Sequence, residues 1–283
     1  TTAANAEIAV ITRIDLDHQE YLGGTIEEIA AEKAAIITER TYDVVIGKQP
    51  KEAMAILRER CKMFGIEPLN DEYEPWRVLP LEGEMVKVIL SLLVLKPIRL
   101  GLKGRHQIEN ANTAVQAARA LLYHGAFSEL DVGEGEDEIR ILDGLQNARH
   151  PGRLEYLGQF LLDGAHNPAG ARVLAEFLGE FEQRPITLVF GAMQGKDIAA
   201  MCEILFPRAG SIVITQPKNS RALEVAEILK LAPRETWREK VVIPEPDVKK
   251  ALNTARRISV DGQMILVTGS LYLVGEARKI LNN

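Results

Sequence analysis

From Gln159 onward the chain alternates with little irregularity. Short apolar runs occur at Gln159–Leu162, Ile186–Phe190, Ser211–Thr215, Val241–Ile243 and Met264–Val267, and each is followed by a stretch with helical spacing. Strands that alternate with helices build a mainly parallel sheet with helices packed on it, an α/β architecture. No G-x-G-x-x-G opens any of these helices, which weighs against a dinucleotide cofactor. Gly191–Asp197 follows a strand and resembles a phosphate loop, yet only three residues separate its glycines. A Walker loop has four there, and Asp197 stands where that loop needs a hydroxyl for magnesium. The segment is therefore not read as a phosphate loop.

The stretch that opens this half, Pro151–Gly170, is PGRLEYLGQFLLDGAHNPAG. It begins with a Pro-Gly breaker and an arginine, climbs through Phe160-Leu161-Leu162, and delivers Asp163 and His166 into the turn before a helix. Asn167 is a good N-cap, and Pro168 suits the first helical turn, where its missing N–H would go unpaired anyway. A polar turn at the carboxyl end of a strand is where open α/β sheets bind ligands. Two readings are open on spacing alone: Asp163 and His166 brace the turn, or they face a ligand.

The first half reads β-α-β-α and then becomes less regular. Glu7–Ile14 is an apolar strand, and Thr25 with Glu28 three residues later forms a capping box for the helix that follows. Ile26, Ile29, Ala30, Ile36 and Ile37 give that helix an apolar face. Lys33 falls on the same face by spacing, so it is expected to face inward, either snorkelling out or doing chemistry. Tyr42–Gly47 is a strand and Lys51–Gly65 a helix. Asp71–Glu84 reads as irregular and Met85–Leu102 as strand-rich, with a turn near Lys96-Pro97. Gly104–Leu122 carries a helix with small residues on its packing face; His106 and Gln107 are expected to shape its entry turn. Asn110, taken by itself, reads as a capping or turn residue. Asp131–Glu138 is acidic and Gly-rich, a solvated surface insertion, and Ile139–Ala148 resumes a helix before a hinge at His150-Pro151-Gly152.

Composition excludes several classes. A net charge of −6 over 283 residues is unlike a nucleic-acid-binding surface. Two cysteines, Cys61 and Cys202, lie far apart without metal-type spacing, which fits a reducing cytoplasm. No apolar run reaches the length of a membrane span, and no signal peptide is visible. A strand begins almost at the first residue, so the chain is expected to be part of a longer one.

Three segments carry a family resemblance: PGRLE with DGAHNPAG, ITRIDLDHQEYLGGTIEEIAAEKAAII at Ile11–Ile37, and TGSLYLVGEARKIL at Thr268–Leu281. Together, in this order, they resemble the folylpolyglutamate synthase and dihydrofolate synthase family of Mur-ligase-like, ATP-dependent amide ligases. The resemblance implies a partial P-loop-type central domain over residues 1–150, followed by a Rossmann-like C-terminal α/β domain over 151–283. The family's Gly-rich Walker loop and its acidic magnesium ligand precede the position of His18 and have no counterpart here, so residues 1–283 alone are expected to be inactive.

By that resemblance ATP phosphorylates a carboxylate of dihydropteroate or of a folate glutamate tail, and the amine of L-glutamate attacks the acyl phosphate. His18 of Leu16-Asp17-His18 would bind Mg2+, and Lys33 of Glu32-Lys33-Ala34-Ala35 would be carbamylated. Asn110 would contact the nucleotide, Arg153 would clamp phosphate, Asp163 would hold the ribose and His166 would line the ATP site. Ala35 departs from the family's usual glycine and His150 from its usual tryptophan. For Arg153 the competing reading is a hinge salt bridge with Glu155 or the acidic loop. By the resemblance the protein is expected to be cytoplasmic, with small-molecule substrates and no nucleic acid or membrane, and a monomer when intact, since relatives are mostly monomers. Two other functions compete: a Mur-type ligase for a cell-wall or cyanophycin-like acceptor, and a non-catalytic binding module descended from such a ligase.

Overall fold

The computed structural model describes residues 5–16, 23–70, 76–90, 93–94, 97–125, 136–260 and 262–282. The chain divides into two compact units, Thr1–Arg149 and His150–Asn283.

In the first unit, three short strands make a parallel sheet: β1 (Ile8–Ile11), β2 (Asp43–Ile46) and β3 (Leu69–Asn70), in that order across the sheet. β1 is in register with β2 from Ile8 opposite Asp43 to Ile11 opposite Ile46. Between them runs α1 (Ile26–Ala34), whose start is the expected capping box: the Thr25 hydroxyl accepts from the Glu28 N–H, and the Glu28 carboxylate accepts from the Thr25 N–H. α2 (Lys51–Met63) follows β2. Ile29, Ala30 and Ala34 of α1 and Ala53, Leu57 and Cys61 of α2 close one core over Ala9, Ile11, Val44 and Ile46.

A second, antiparallel sheet follows: β4 (Arg77–Pro80), β5 (Met85–Leu90), β6 (Leu93–Val94) and β7 (Ile98–Arg99), with β5 pairing the other three. β4 corrects the expectation of an irregular Asp71–Glu84. Only Val78 of its four residues is buried, so it has no apolar alternation to announce it. β5 does alternate, burying Val86, Val88 and Leu90 against Ala111 and Val115 of α3 (His106–Tyr123). The entry turn expected at His106-Gln107 is instead the first turn of that helix. Most of the acidic Asp131–Glu138 segment lies outside the described residues, and its last three residues open α4 (Glu136–Asn147).

α3 holds β4 with side-chain amides. The buried Asn112 accepts from the Val78 N–H at 2.6 Å and donates to the Val78 carbonyl at 2.8 Å, completing a strand that among the described residues has no strand neighbour on that side. One turn on, Gln116 donates to the Trp76 carbonyl. Asn112→Leu would strand both Val78 groups in an apolar setting. It should destabilise the first unit by about 2–6 kcal/mol, since each of the two buried unpaired polar groups costs roughly 1–3 kcal/mol. Chemical denaturation measures this, and a loss below ~1 kcal/mol would mean that water replaces the amide.

The second unit is a six-stranded sheet: β8 (Glu155–Leu157), β9 (Phe160–Leu162), β10 (Ile186–Phe190), β11 (Ser211–Ile214), β12 (Val241–Pro244) and β13 (Met264–Thr268). Their order is β12-β11-β10-β13-β9-β8, parallel throughout except for the antiparallel edge strand β8. Every residue of β10 and β13 is buried, as befits parallel strands covered on both faces. One face carries α5 (Pro168–Phe181), α6 (Ile198–Leu205) and α7 (Val225–Leu231), packed on Leu161, Leu188, Ile212 and Leu266. The other carries α8 (Val248–Ile258) and α9 (Leu271–Leu281), packed on Phe160, Val189, Val213 and Val267. The chain leaving β9 passes over the place of β13 to reach β10, and β13 fills that place last. Helices leaving β9 and β10 therefore lie on the face opposite to the helix leaving β13. This is a topological switch point, and the crevice at its carboxyl end is the natural ligand position of an open α/β sheet.

Candidate functional site

Arg153 enters this crevice region on a turn fastened at several points. Gly152 has φ +72, which a glycine adopts freely, and a Cβ there would sit 2.6 Å from Cγ1 of Val274 on α9. Its N–H donates to Oε2 of Glu155 at 2.7 Å, and the same carboxylate accepts from Nε of Arg278 at 2.9 Å. Glu155 thus ties the turn to α9. The expected alternative of an Arg153–Glu155 hinge bridge is not formed: among the described residues the half-buried Arg153 guanidinium has no ion pair within 4.0 Å.

Asp163 stands at the carboxyl end of β9 and is 7% exposed. Its Oδ2 accepts from the Leu154 N–H at 3.0 Å and its Oδ1 from the Ala165 N–H at 2.9 Å. Its own N–H donates to the Val267 carbonyl of β13 at 3.0 Å, and the Gly164 N–H donates to the Gly152 carbonyl at 2.8 Å. Of the two readings open for Asp163, bracing is what these bonds do. Burial pushes its carboxyl above the usual range, while the two amides and the charges of Arg153 and His166 pull it back. The half-buried His166 completes the group, with Nδ1 at 3.0 Å from the Gly164 carbonyl. Asn167 then caps α5 by accepting from the Gly170 N–H at 2.8 Å, with Pro168 in the first turn.

Two neighbouring strand ends close on this turn. The Gly269 N–H donates to the Ala165 carbonyl at 3.0 Å and the Gly191 N–H to the Thr268 carbonyl at 3.4 Å. Ser270 caps α9 through the Tyr272 N–H. The Gly191–Asp197 segment behaves as a cap and a bridge. Asp197 caps α6 through the Ala200 N–H, and Met193 forms a bridge with Ala222. The structure therefore gathers Arg153, Asp163 and His166 at one end of one sheet. Leu154, which the sequence did not single out, belongs with them. It has φ +44, and among the described residues the only other non-glycine with positive φ is Asn5.

The other expected site residues belong to the first unit. Lys33 is exposed rather than inward-facing, which corrects the reading from spacing. Ile29, Ala30 and Ala34 are the residues α1 buries, and Lys33 sits in its last turn, where a cation suits the C-terminal dipole. Asn110 is exposed on α3 and donates to Gln107 Oε1 at 2.8 Å, so it neither caps a helix nor shapes a turn. His18 lies outside the described residues. The segment leading to it is anchored by Gln49, whose Oε1 accepts from the Ile14 N–H and whose Nε2 donates to the Thr12 carbonyl, both at 2.9 Å. Among the described residues no cluster of three or more His, Cys, Asp or Glu side chains could hold a metal, and none of the helices is long and apolar enough to cross a membrane.

Comparison with known proteins adds a second line. Residues 153–280 match the family model described as dihydrofolate synthetase, C-terminal domain, and residues 1–118 match that of the Mur ligase middle domain. A dihydrofolate synthase/folylpolyglutamate synthase of Mycobacterium tuberculosis is 32% identical, matching 99% of this chain and 61% of its own length. The solved Mycobacterium tuberculosis folylpolyglutamate synthase complexed with ADP and AMPPCP superposes with a TM-score of 0.82 at 30% identity, over 100% of this chain and 65% of that one. A bifunctional synthase from Yersinia pestis, complexed with AMPPNP and a Mn ion, gives 0.76 at 25% identity, over 99% and 63%. The chain thus spans less than two thirds of the length of each of these proteins.

Proposed function

This chain belongs to the folylpolyglutamate synthase and dihydrofolate synthase family of Mur-type ligases, and on that premise we propose that its parent protein joins L-glutamate to a folate at the expense of ATP. The terminal phosphoryl group of ATP passes to a carboxylate of the folate or dihydropteroate acceptor. The glutamate amine then attacks the acyl phosphate, an amide forms and phosphate leaves. Positioning and electrostatic stabilisation do most of the work in such transfers. The observation that carries the reading is Arg153, a cation with no ion pair within 4.0 Å among the described residues, held at the switch-point end of the sheet inside the segment that matches the dihydrofolate synthetase C-terminal domain. Its planar fork suits phosphate oxygens.

On the family pattern Asn110 is assigned to the nucleotide, Arg153 to its phosphates, Asp163 to its ribose and His166 to the lining of the ATP site. Lys33 is assigned, as a carbamate, to orienting the acceptor, and its exposed position leaves it open to carbon dioxide. His18 is assigned to Mg2+ on the family pattern. Among the described residues no group of three or more His, Cys, Asp or Glu side chains could hold that ion. We assign the protein to the cytoplasm as a monomer with small-molecule substrates.

The intact protein, given ATP, Mg2+, a folate acceptor and labelled glutamate, should form amide and ADP together. Lys33→Ala should lower turnover about 10²-fold or more, as misplacement of a reacting group does, and added bicarbonate should not restore it. ADP release without glutamate incorporation would overturn the reading, and unchanged turnover in Lys33→Ala would remove Lys33 from it.

A further inference from the structure

We propose that Arg221 takes a carboxylate of the incoming L-glutamate and that Glu276 is the positioning residue for the loop that carries it; both rest on the ligase reading above. The amine of glutamate must be aimed at the acyl carbon while its acid groups are held away, so the reaction needs a cation besides the one assigned to phosphate. A guanidinium suits this, since its fork matches both oxygens of a carboxylate. Arg221 lies on the loop leaving β11, at the same end of the parallel sheet as Arg153. It is exposed, and among the described residues its side chain forms no ion pair or hydrogen bond. Lys218 on the same loop lies in the field of Asp247, whose carboxyl is held below the usual range by the Lys250 N–H and, more weakly, by the Lys218 charge.

The backbone is fixed on both sides of Arg221. Its carbonyl accepts from the Gln194 N–H and the Ala192 carbonyl from the Leu223 N–H, both at 2.9 Å, and Ala222 forms a bridge with Met193. Those bonds fasten the exit of the loop to the segment that follows β10. On the entry side the Arg221 N–H donates to Oδ1 of Asn219 at 2.9 Å, and the Asn219 N–H to the Pro217 carbonyl at 2.7 Å. A side chain from α9 holds this turn: the Lys218 N–H donates to Oε2 of Glu276 at 2.8 Å. Glu276 is half-buried and without an ion pair among the described residues, so its carboxylate is spent on a backbone amide rather than on a cation. β10 lies between the strand that leads to α9 and the strand that leads to the loop, so the tie spans the end of the sheet.

The test uses the intact protein, with glutamate varied at saturating ATP and folate acceptor. Arg221→Ala should raise the KM for glutamate about tenfold or more, as loss of a hydrogen-bonded charged group does, and keep the KM for ATP within about twofold. Glu276→Ala should raise the KM for glutamate about fivefold. Glu276→Gln should stay within about twofold of the unaltered protein, because an amide oxygen still accepts the Lys218 N–H. Since Glu276 acts through Arg221, the double alanine variant should lie less than about twofold above Arg221→Ala alone. Hydrogen exchange at the Lys218 amide should accelerate about tenfold in Glu276→Ala, and in neither Glu276→Gln nor Arg221→Ala. A merely structural Glu276 predicts a loss shared by all three substrates.

Multiplying effects of Arg221→Ala and Glu276→Ala would mean that Glu276 does not act through Arg221, and would overturn the positioning role. Unchanged protection of the Lys218 amide in Glu276→Ala would overturn it as well. An Arg221→Ala variant that raises the KM for ATP and spares that for glutamate would give the loop to the nucleotide and overturn the assignment of Arg221. If the unaltered protein incorporates no glutamate, the ligase reading falls and the ligand of Arg221 falls with it. Hydrogen exchange at Lys218 then decides separately whether Glu276 holds the loop.

Discussion

Replacing Arg153 by alanine in the intact protein should lower kcat/KM for ATP about 10²- to 10³-fold, the range seen when one preorganised donor to developing charge is removed, and should leave stability within about 0.5 kcal/mol. Both halves follow from the same geometry. The guanidinium is half-buried and without an ion pair among the described residues, and the buried Asp163 carboxylate keeps both of its amide donors when the guanidinium is removed. The backbone of its turn is held by Glu155, Asp163 and Gly164, none of which the substitution touches. Arg153→Lys should recover only part of the loss, because an ammonium is a point charge and cannot present two parallel N–H groups to a phosphate. Steady-state kinetics and urea unfolding of the three proteins measure this. A variant that unfolds early yet turns over normally would make Arg153 a structural residue.

What the sequence could and could not say about this site divides by the range of the interactions involved. Local signals were legible. Thr25 with Glu28 and Asn167 with Pro168 each announce a helix start through chemistry confined to four residues, and both helices begin there. Ile186–Phe190, apolar but for Thr187, and Met264–Val267, apolar throughout, lie where expected, because strands covered on both faces need no other pattern.

Features set by distant partners were not legible. The choice of Glu155 between Arg153 and a different cation is decided by Arg278, 123 residues away. β8 is three half-buried residues whose strand character comes from pairing with β9. Lys33 has the spacing of a buried residue and the position of an exposed one, because periodicity says nothing about where along a short helix its neighbours stop. Leu154 carries no local mark at all. A leucine in a left-handed conformation is specified by the carboxylate nine residues on and by the core it fills.

The glycine that closes the same end of the sheet should be the least replaceable residue of the second unit. Gly269 has φ +106, outside the range that L side chains tolerate, and a Cβ on it would lie 2.7 Å from the Gly191 carbonyl oxygen and 2.7 Å from Cε2 of Phe190. Neither neighbour can yield. One is backbone, and the other is a fully buried ring packed edge-on against Phe206 at 5.4 Å between centroids. Gly269→Ala therefore adds backbone strain of about 1–3 kcal/mol to overpacking of about 1–3 kcal/mol. A loss of about 2–6 kcal/mol is expected in the unfolding free energy of this unit.

Any relaxation also moves the Gly269 N–H away from the Ala165 carbonyl, and with it the turn that Asp163 braces, so activity should fall further than stability alone accounts for. Gly158→Ala separates the two contributions. Gly158 has φ +60, and a Cβ there meets nothing within 4 Å, so only the left-handed conformation is penalised, at about 1 kcal/mol. Urea unfolding of the two variants side by side measures the difference. Equal losses would mean that the close approach of Gly269 to Gly191 and Phe190 does not constrain this end of the sheet.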